Sequence, residues 1–186
     1  MANAEELQAQ GIQRFHQKDY EAAAELFRQA QAAYQEDGKP DMAAEMLTNI
    51  GLVHRALGEH DRAAALMQEA REVFVSTGDR KREAQVLGNL GGVYAAQGNT
   101  EQAMTCYRQA ADTFLELGED ELYGQTLLAL GDLQMRKGKF MAGAATYEVG
   151  LDSVKDLSPT QKVLKGLMGI RRRLTGMGAP PPDKKE

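Results

Sequence analysis

The sequence predicts an all-α protein: a right-handed superhelical solenoid of antiparallel helix pairs, four pairs followed by one capping helix. Three observations predict it. Residues recur in columns 40 apart with no insertion or deletion, apolar residues within each copy fall at helical spacing, and glycines stand where helices should stop. No stretch alternates β-branched residues, so no strand is predicted.

The columns can be read by hand. Gly11, Gly51, Gly91 and Gly131 share one register, and Ala30, Ala70, Ala110 and Gly150 another. Phe27, Met67, Tyr107 and Tyr147 form a third, and Tyr34, Phe74, Phe114 and Val154 a fourth. Gly58, Gly98 and Gly138 form a fifth, with Lys18 as the exception in the first copy. The repeats run over about 4–40, 41–80, 81–120 and 121–158.

Within each copy two helices are expected. Helix A carries Leu47, Ile50 and Val53 in the second copy and Leu87, Leu90 and Tyr94 in the third, and it stops at Gly58 or Gly98. Helix B starts after Asp61 or Asn99-Thr100, polar residues suited to a helix start. It runs through Ala63, Met67, Ala70 and Phe74 to Gly78, and in the third copy through Ala103, Tyr107, Ala110 and Phe114 to Gly118. One pair cannot bury its own apolar face; stacked pairs share a continuous core.

Pro159 begins a last helix, 159–175, with Val163, Leu167, Ile170 and Leu174 on one stripe. Leu167 and Ile170 fall 40 residues after Leu127 and Leu130, so the segment reads as an unpaired fifth helix A that caps the array with a polar outer face. Arg171 replaces the glycine that admits a helix B. Residues 1–178 are read as one domain and 179–186, with Pro180-Pro181-Pro182, as a disordered tail.

Composition excludes several classes of function. The 186 residues are 42% hydrophobic and 26% charged, a soluble globular balance. The net charge of -5 disfavours a nucleic-acid partner, which needs a basic face. Cys106 is the only cysteine, so no intrachain disulfide forms, and an inert thiol is expected. His16, His54 and His60 are scattered: His54 reads as a packed core residue and His60 as a turn residue, and no metal site is expected. The glycines between Gly88 and Gly98 lie inside a helical period and make no phosphate loop. The N-terminus has no signal peptide pattern and no segment is apolar enough to span a membrane, so a cytoplasmic location is the default. Lys162, Lys165, Arg171, Arg172 and Arg173 have no acidic neighbour between Pro159 and Gly176. Such a helix also reads as one that touches an anionic membrane or nucleic acid, although the repeat register favours capping.

The residues resemble the tetratricopeptide repeat. Its helix A signature stands as Leu87-x2-Leu90-Gly91-x2-Tyr94, and its helix B signature as Ala23-x3-Phe27, Ala63-x3-Met67 and Ala103-x3-Tyr107. The resemblance runs from about residue 4 to residue 178. Leu7, Leu47, Leu87 and Leu127 hold the usual Trp position, the closing proline is mostly absent, and the period exceeds the ordinary one of about 34 residues. This longer form is similar to the repeats of kinesin light chains, of the spindle-orientation adaptor family and of bacterial peptide-sensing regulators. That resemblance implies a concave groove, lined by helix A, that binds a peptide or protein segment.

Counted from the core glycine, the groove stripe carries Gln8 with Ile12 in the first copy, and Glu45, Thr48, Asn49, Leu52 and Arg55 in the second. It carries Gln85, Gly88, Asn89 and Gly92 in the third, and Gln125, Asp132 and Arg136 in the fourth. The resemblance implies that Asn49 and Asn89 hydrogen-bond the backbone of a bound peptide, which suits an amide with both donor and acceptor. Gly88 and Gly92 weaken a helix interior and are read as room for a ligand backbone. The basic clamp of chaperone-binding repeats is not expected, because Gln8, Ile12, Gly88 and Gly92 stand at its positions. The expected function is a non-enzymatic protein-interaction module or adaptor with a protein or peptide partner and no cofactor. The alternative is a self-assembling structural or assembly-factor protein, which an exposed apolar end face beside Leu167 would favour; the sequence allows a homo-oligomer.

Overall fold

The computed structural model describes residues 3–175, with side chains through Ile170. Among the described residues there are nine helices and no strand: α1 (Ala4–His16), α2 (Tyr20–Glu36), α3 (Pro40–Ala56), α4 (His60–Thr77), α5 (Arg80–Ala96), α6 (Thr100–Leu117), α7 (Asp120–Arg136), α8 (Phe140–Ser153) and α9 (Pro159–Thr175). None of them is long and apolar enough to cross a membrane. Odd-numbered helices are the A helices and α2, α4, α6 and α8 the B helices. Their contacts fall into two compact units, one up to Cys106 and one from Tyr107 on.

In the first unit α3 serves two neighbours. Met46, Ile50 and Val53 of α3 join Phe27, Ala30 and Tyr34 of α2 in one buried cluster. Ala44 and Leu47, on an adjacent stripe of α3, join Met67, Ala70 and Phe74 of α4 and Val86, Leu90 and Val93 of α5 in the next. This double duty is why large and small residues recur in fixed columns; each large side chain so buried contributes about 1.5–3 kcal/mol. A methyl group at Gly11 would lie 2.6 Å from the Phe27 ring, and one at Gly51 3.0 Å from Met67 Cγ. Glycine is therefore what lets A and B approach.

The helix ends follow from backbone chemistry. Gly58 sits in the left-handed region at φ 79°, and the Glu59 N–H reaches back to the His54 carbonyl at 2.9 Å, closing α3. Lys18, the exception of that column, adopts the same conformation at φ 61° without glycine's freedom. The expected start of α4 needs correction. Its N-cap is Glu59, whose side chain makes no cap bond, and Asp61 lies inside the first turn. A carboxylate there meets the positive end of the helix dipole and stabilises the start without capping it. His60 is accordingly the first residue of α4, not a turn residue.

In the second unit, α7 and α8 meet backbone to backbone. A methyl group at Gly131 would lie 2.8 Å from the Gly143 carbonyl oxygen, and one at Gly150 2.8 Å from that of Gly124. Leu127, Leu130, Leu133, Phe114, Leu151 and Val154 are buried. α8 is a turn shorter than α4 and gives way to an extended Val154. The Lys155 N–H then donates to Glu121 on α7 at 2.9 Å.

The final helix begins as expected at Pro159. Ser158 Oγ accepts from the Gln161 N–H at 3.3 Å, and Gln161 Oε1 accepts from the Ser158 N–H at 2.9 Å. The orientation of its stripe is a correction. Val163, Leu167 and Ile170 are 65%, 59% and 56% exposed, whereas Ile50 and Leu90, at the register of Ile170, are 4% and 2% exposed. The face turned toward α8 carries Lys165 instead, whose ammonium donates to the Leu151 carbonyl at 2.7 Å and pairs with Asp152 at 3.2 Å, at the negative end of that helix. The side chains of Arg171 and Leu174, and the tail expected at 179–186, lie outside what is described.

Candidate functional site

The expected groove residues of the first unit lie on α1, α3 and α5, which polar side chains tie side by side. Tyr34 on α2 donates its hydroxyl to Gln8 Oε1 at 2.7 Å, and Gln8 Nε2 donates to Glu45 Oε1 at 2.9 Å. Arg82 on α5 continues the chain: Nε lies 3.4 Å from Glu45, and Nη1 lies 2.9 Å from Asp41 and 3.1 Å from Asp79. Its guanidinium also stands 5.9 Å from the centre of the Phe74 ring. Burial works to lower the Arg82 pKa, but the hydrogen bond it donates to Asp41 and the charges of Glu45, Asp79 and Asp41 outweigh it and raise it. Burial, aided by Glu5, Glu45 and Asp37, pushes the Tyr34 hydroxyl up as well.

This chain assigns Gln8 and Glu45 to holding α1, α3 and α5 in register, a role the sequence reading missed together with Arg82, Asp41 and Asp79. The signal available was a charge out of column, since Arg82 stands where Met42 stands one repeat earlier. Thr48 is a further correction to the groove stripe. It is buried, with its hydroxyl donating to the Ala44 carbonyl at 3.2 Å, because its spacing turns it toward the helix neighbour.

Asn49 and Asn89 stand one helical turn beyond Glu45 and Gln85, at the same register on α3 and α5. Both are half-buried, and neither side-chain amide hydrogen-bonds another described residue. Gly88 precedes Asn89, and a methyl group built there meets nothing within 4 Å. Leu52 and Gly92 are half-buried, and Arg55 and Gln85 are exposed.

The fourth-copy residues belong to the second unit and are engaged within α7. Gln125 Nε2 donates to Glu121 at 3.0 Å, and Arg136 pairs with Asp132 at 2.9 Å. Both contacts are one helical turn long, and they leave this helix without the open amides of α3 and α5.

The remaining chemistry is subdued. His54, expected as a packed core residue, is only half-buried, and its Nδ1 lies 2.7 Å from Glu59. Hydrogen bonds from His54 and Arg62 hold the Glu59 carboxyl below its usual range. Burial pushes the Cys106 thiol up, away from the reactive thiolate. Among the described residues no group of three His, Cys, Asp or Glu is placed to hold a metal ion.

Two solved structures are similar in fold. BtubC (BKLC) from P. vanneervenii superposes with a TM-score of 0.75 at 18% identity, covering 98% of this chain and 85% of that one. The Rap conjugation gene regulator of the plasmid pLS20, solved in complex with the Phr* peptide, superposes with a TM-score of 0.69 at 19% identity. That match covers 91% of this chain and 47% of the regulator, so the chain spans about half the regulator's length. None of the curated proteins is a match in sequence. The tetratricopeptide repeat model matches residues 2–74 and 41–116, which together exceed half of the sequence. With helix pairs recurring every 40 residues and the family's own pattern across most of them, the chain belongs to the tetratricopeptide repeat family.

Proposed function

We propose that this protein is a non-enzymatic interaction module that binds an extended peptide or partner segment along α1, α3 and α5. The observation that carries the reading is the pair of open amides, Asn49 and Asn89, at one register of adjacent A helices and beside the uncovered Gly88. An extended peptide offers alternating N–H and C=O groups, and an Asn amide can meet one of each. The polar chain from Tyr34 through Gln8 and Glu45 to Arg82 holds the helices beneath and reduces the ordering that binding would otherwise require. The Rap regulator, of like fold, was solved with a peptide.

The test is capture of partners with the intact protein and with an Asn49→Ala, Asn89→Ala variant, followed by calorimetry on the segment captured. Both changes sit on half-buried positions without protein partners, so the fold should persist. Affinity should fall by about 1–3 kcal/mol per lost buried hydrogen bond. Unchanged affinity for the captured segment would remove the groove assignment. The alternative, a self-assembling protein without a peptide ligand, calls for an apolar end face. α9 carries one in Val163, Leu167 and Ile170.

A further inference from the structure

We infer that α9 is a docking helix for an anionic lipid surface. Val163, Leu167 and Ile170 lie along one line of the helix about 10 Å long, all exposed. Leu164, Lys165, Met168 and Gly169 face inward instead, held there by the bonds of Lys165 to the end of α8. The apolar line thus lies on a different face of α9 from the one that meets α8.

Charge points to what covers the stripe. Residues 159–175 carry five Lys and Arg and no Asp or Glu, while residues 1–158 carry 15 Lys and Arg against 25 Asp and Glu. One short helix is thus basic within an otherwise acidic chain. A helix with an exposed apolar line, a basic sequence and low mean hydropathy suits the headgroup layer, where apolar side chains sit below the phosphates and Lys or Arg groups at their level. The exposed Lys162 fits that placement with a stem long enough to reach the phosphate level.

Other occupants fit less well. Two copies meeting through α9 would bring like charges together. A nucleic acid would use the charges and leave the apolar line in water.

The experiment is sedimentation of the full chain with phosphatidylcholine vesicles, with and without phosphatidylserine, at low and high salt. Wild type should pellet with the anionic vesicles, and its partition should fall by about tenfold or more on neutral vesicles or at high salt. A Leu167→Glu, Ile170→Glu variant should stay in the supernatant while melting like wild type, since both positions are exposed. Wild type remaining in the supernatant, equal pelleting with neutral vesicles, or a variant that pellets like wild type each overturns the proposal. So does a wild-type dimer in solution that the variant dissociates, which would assign the stripe to a second copy.

Discussion

The pair α3–α4 and the pair α7–α8 use glycine at the same repeat position and meet their partners differently. Gly51 of α3 faces the Met67 side chain at 3.0 Å, with the Ala63 carbonyl oxygen farther off at 3.3 Å, whereas Gly131 of α7 faces the Gly143 carbonyl and the Tyr147 backbone nitrogen, both at 2.8 Å. Gly124 and Gly150 repeat the backbone contact nearer the other end of the pair. A side chain can move aside and a helix backbone cannot without moving the helix. One sequence column therefore hides two degrees of tolerance, and the facing residue decides which applies.

The largest expected effect breaks or upholds this contrast directly. Gly131→Ala should destabilise by about 3 kcal/mol, at the upper end of overpacking, while Gly51→Ala should cost about 1 kcal/mol because methionine repacks readily. Urea denaturation of both variants checks this, and equal losses would mean that α7 and α8 separate more easily than their contact implies.

Gly88 sharpens the comparison from the other side, because open space lies above it. Gly88→Ala should raise stability by about 1 kcal/mol, the propensity difference in a helix interior. It should also weaken the groove ligand. A more stable variant that binds as before would show that the gap above Gly88 is not used. The smallest effect belongs to Lys18, a lysine in the left-handed conformation that Gly58 and Gly98 adopt in later copies. Lys18→Gly should gain about 0.5–1 kcal/mol, read as a higher thermal midpoint. A loss instead would show that the lysine stem contributes more packing than the backbone loses in strain.

Much of this molecule was legible in advance. The 40-residue period, the buried columns and the glycine stops are local or repeated features, so propensity, spacing and hydrophobic burial act on them alike in every copy. The shared register of Asn49 and Asn89 on α3 and α5 was legible for the same reason. Gln8, Glu45 and Arg82 could not be assigned their shared bonds, because those join residues 37 apart in the chain through rotamers that a repeat pattern does not encode.

The sequence by itself determined the helices, their pairing and the family. Only the tertiary structure decided which polar groups are spent on holding helices together and which stay open. It also decided that α9, written in the register of an A helix, turns its apolar line outward. The physical reason is the balance of contacts at α9: the carbonyl end of α8 engages Lys165, while Val163, Leu167 and Ile170 are left exposed. A balance of that kind depends on where two helix ends meet, which no single segment of the chain contains.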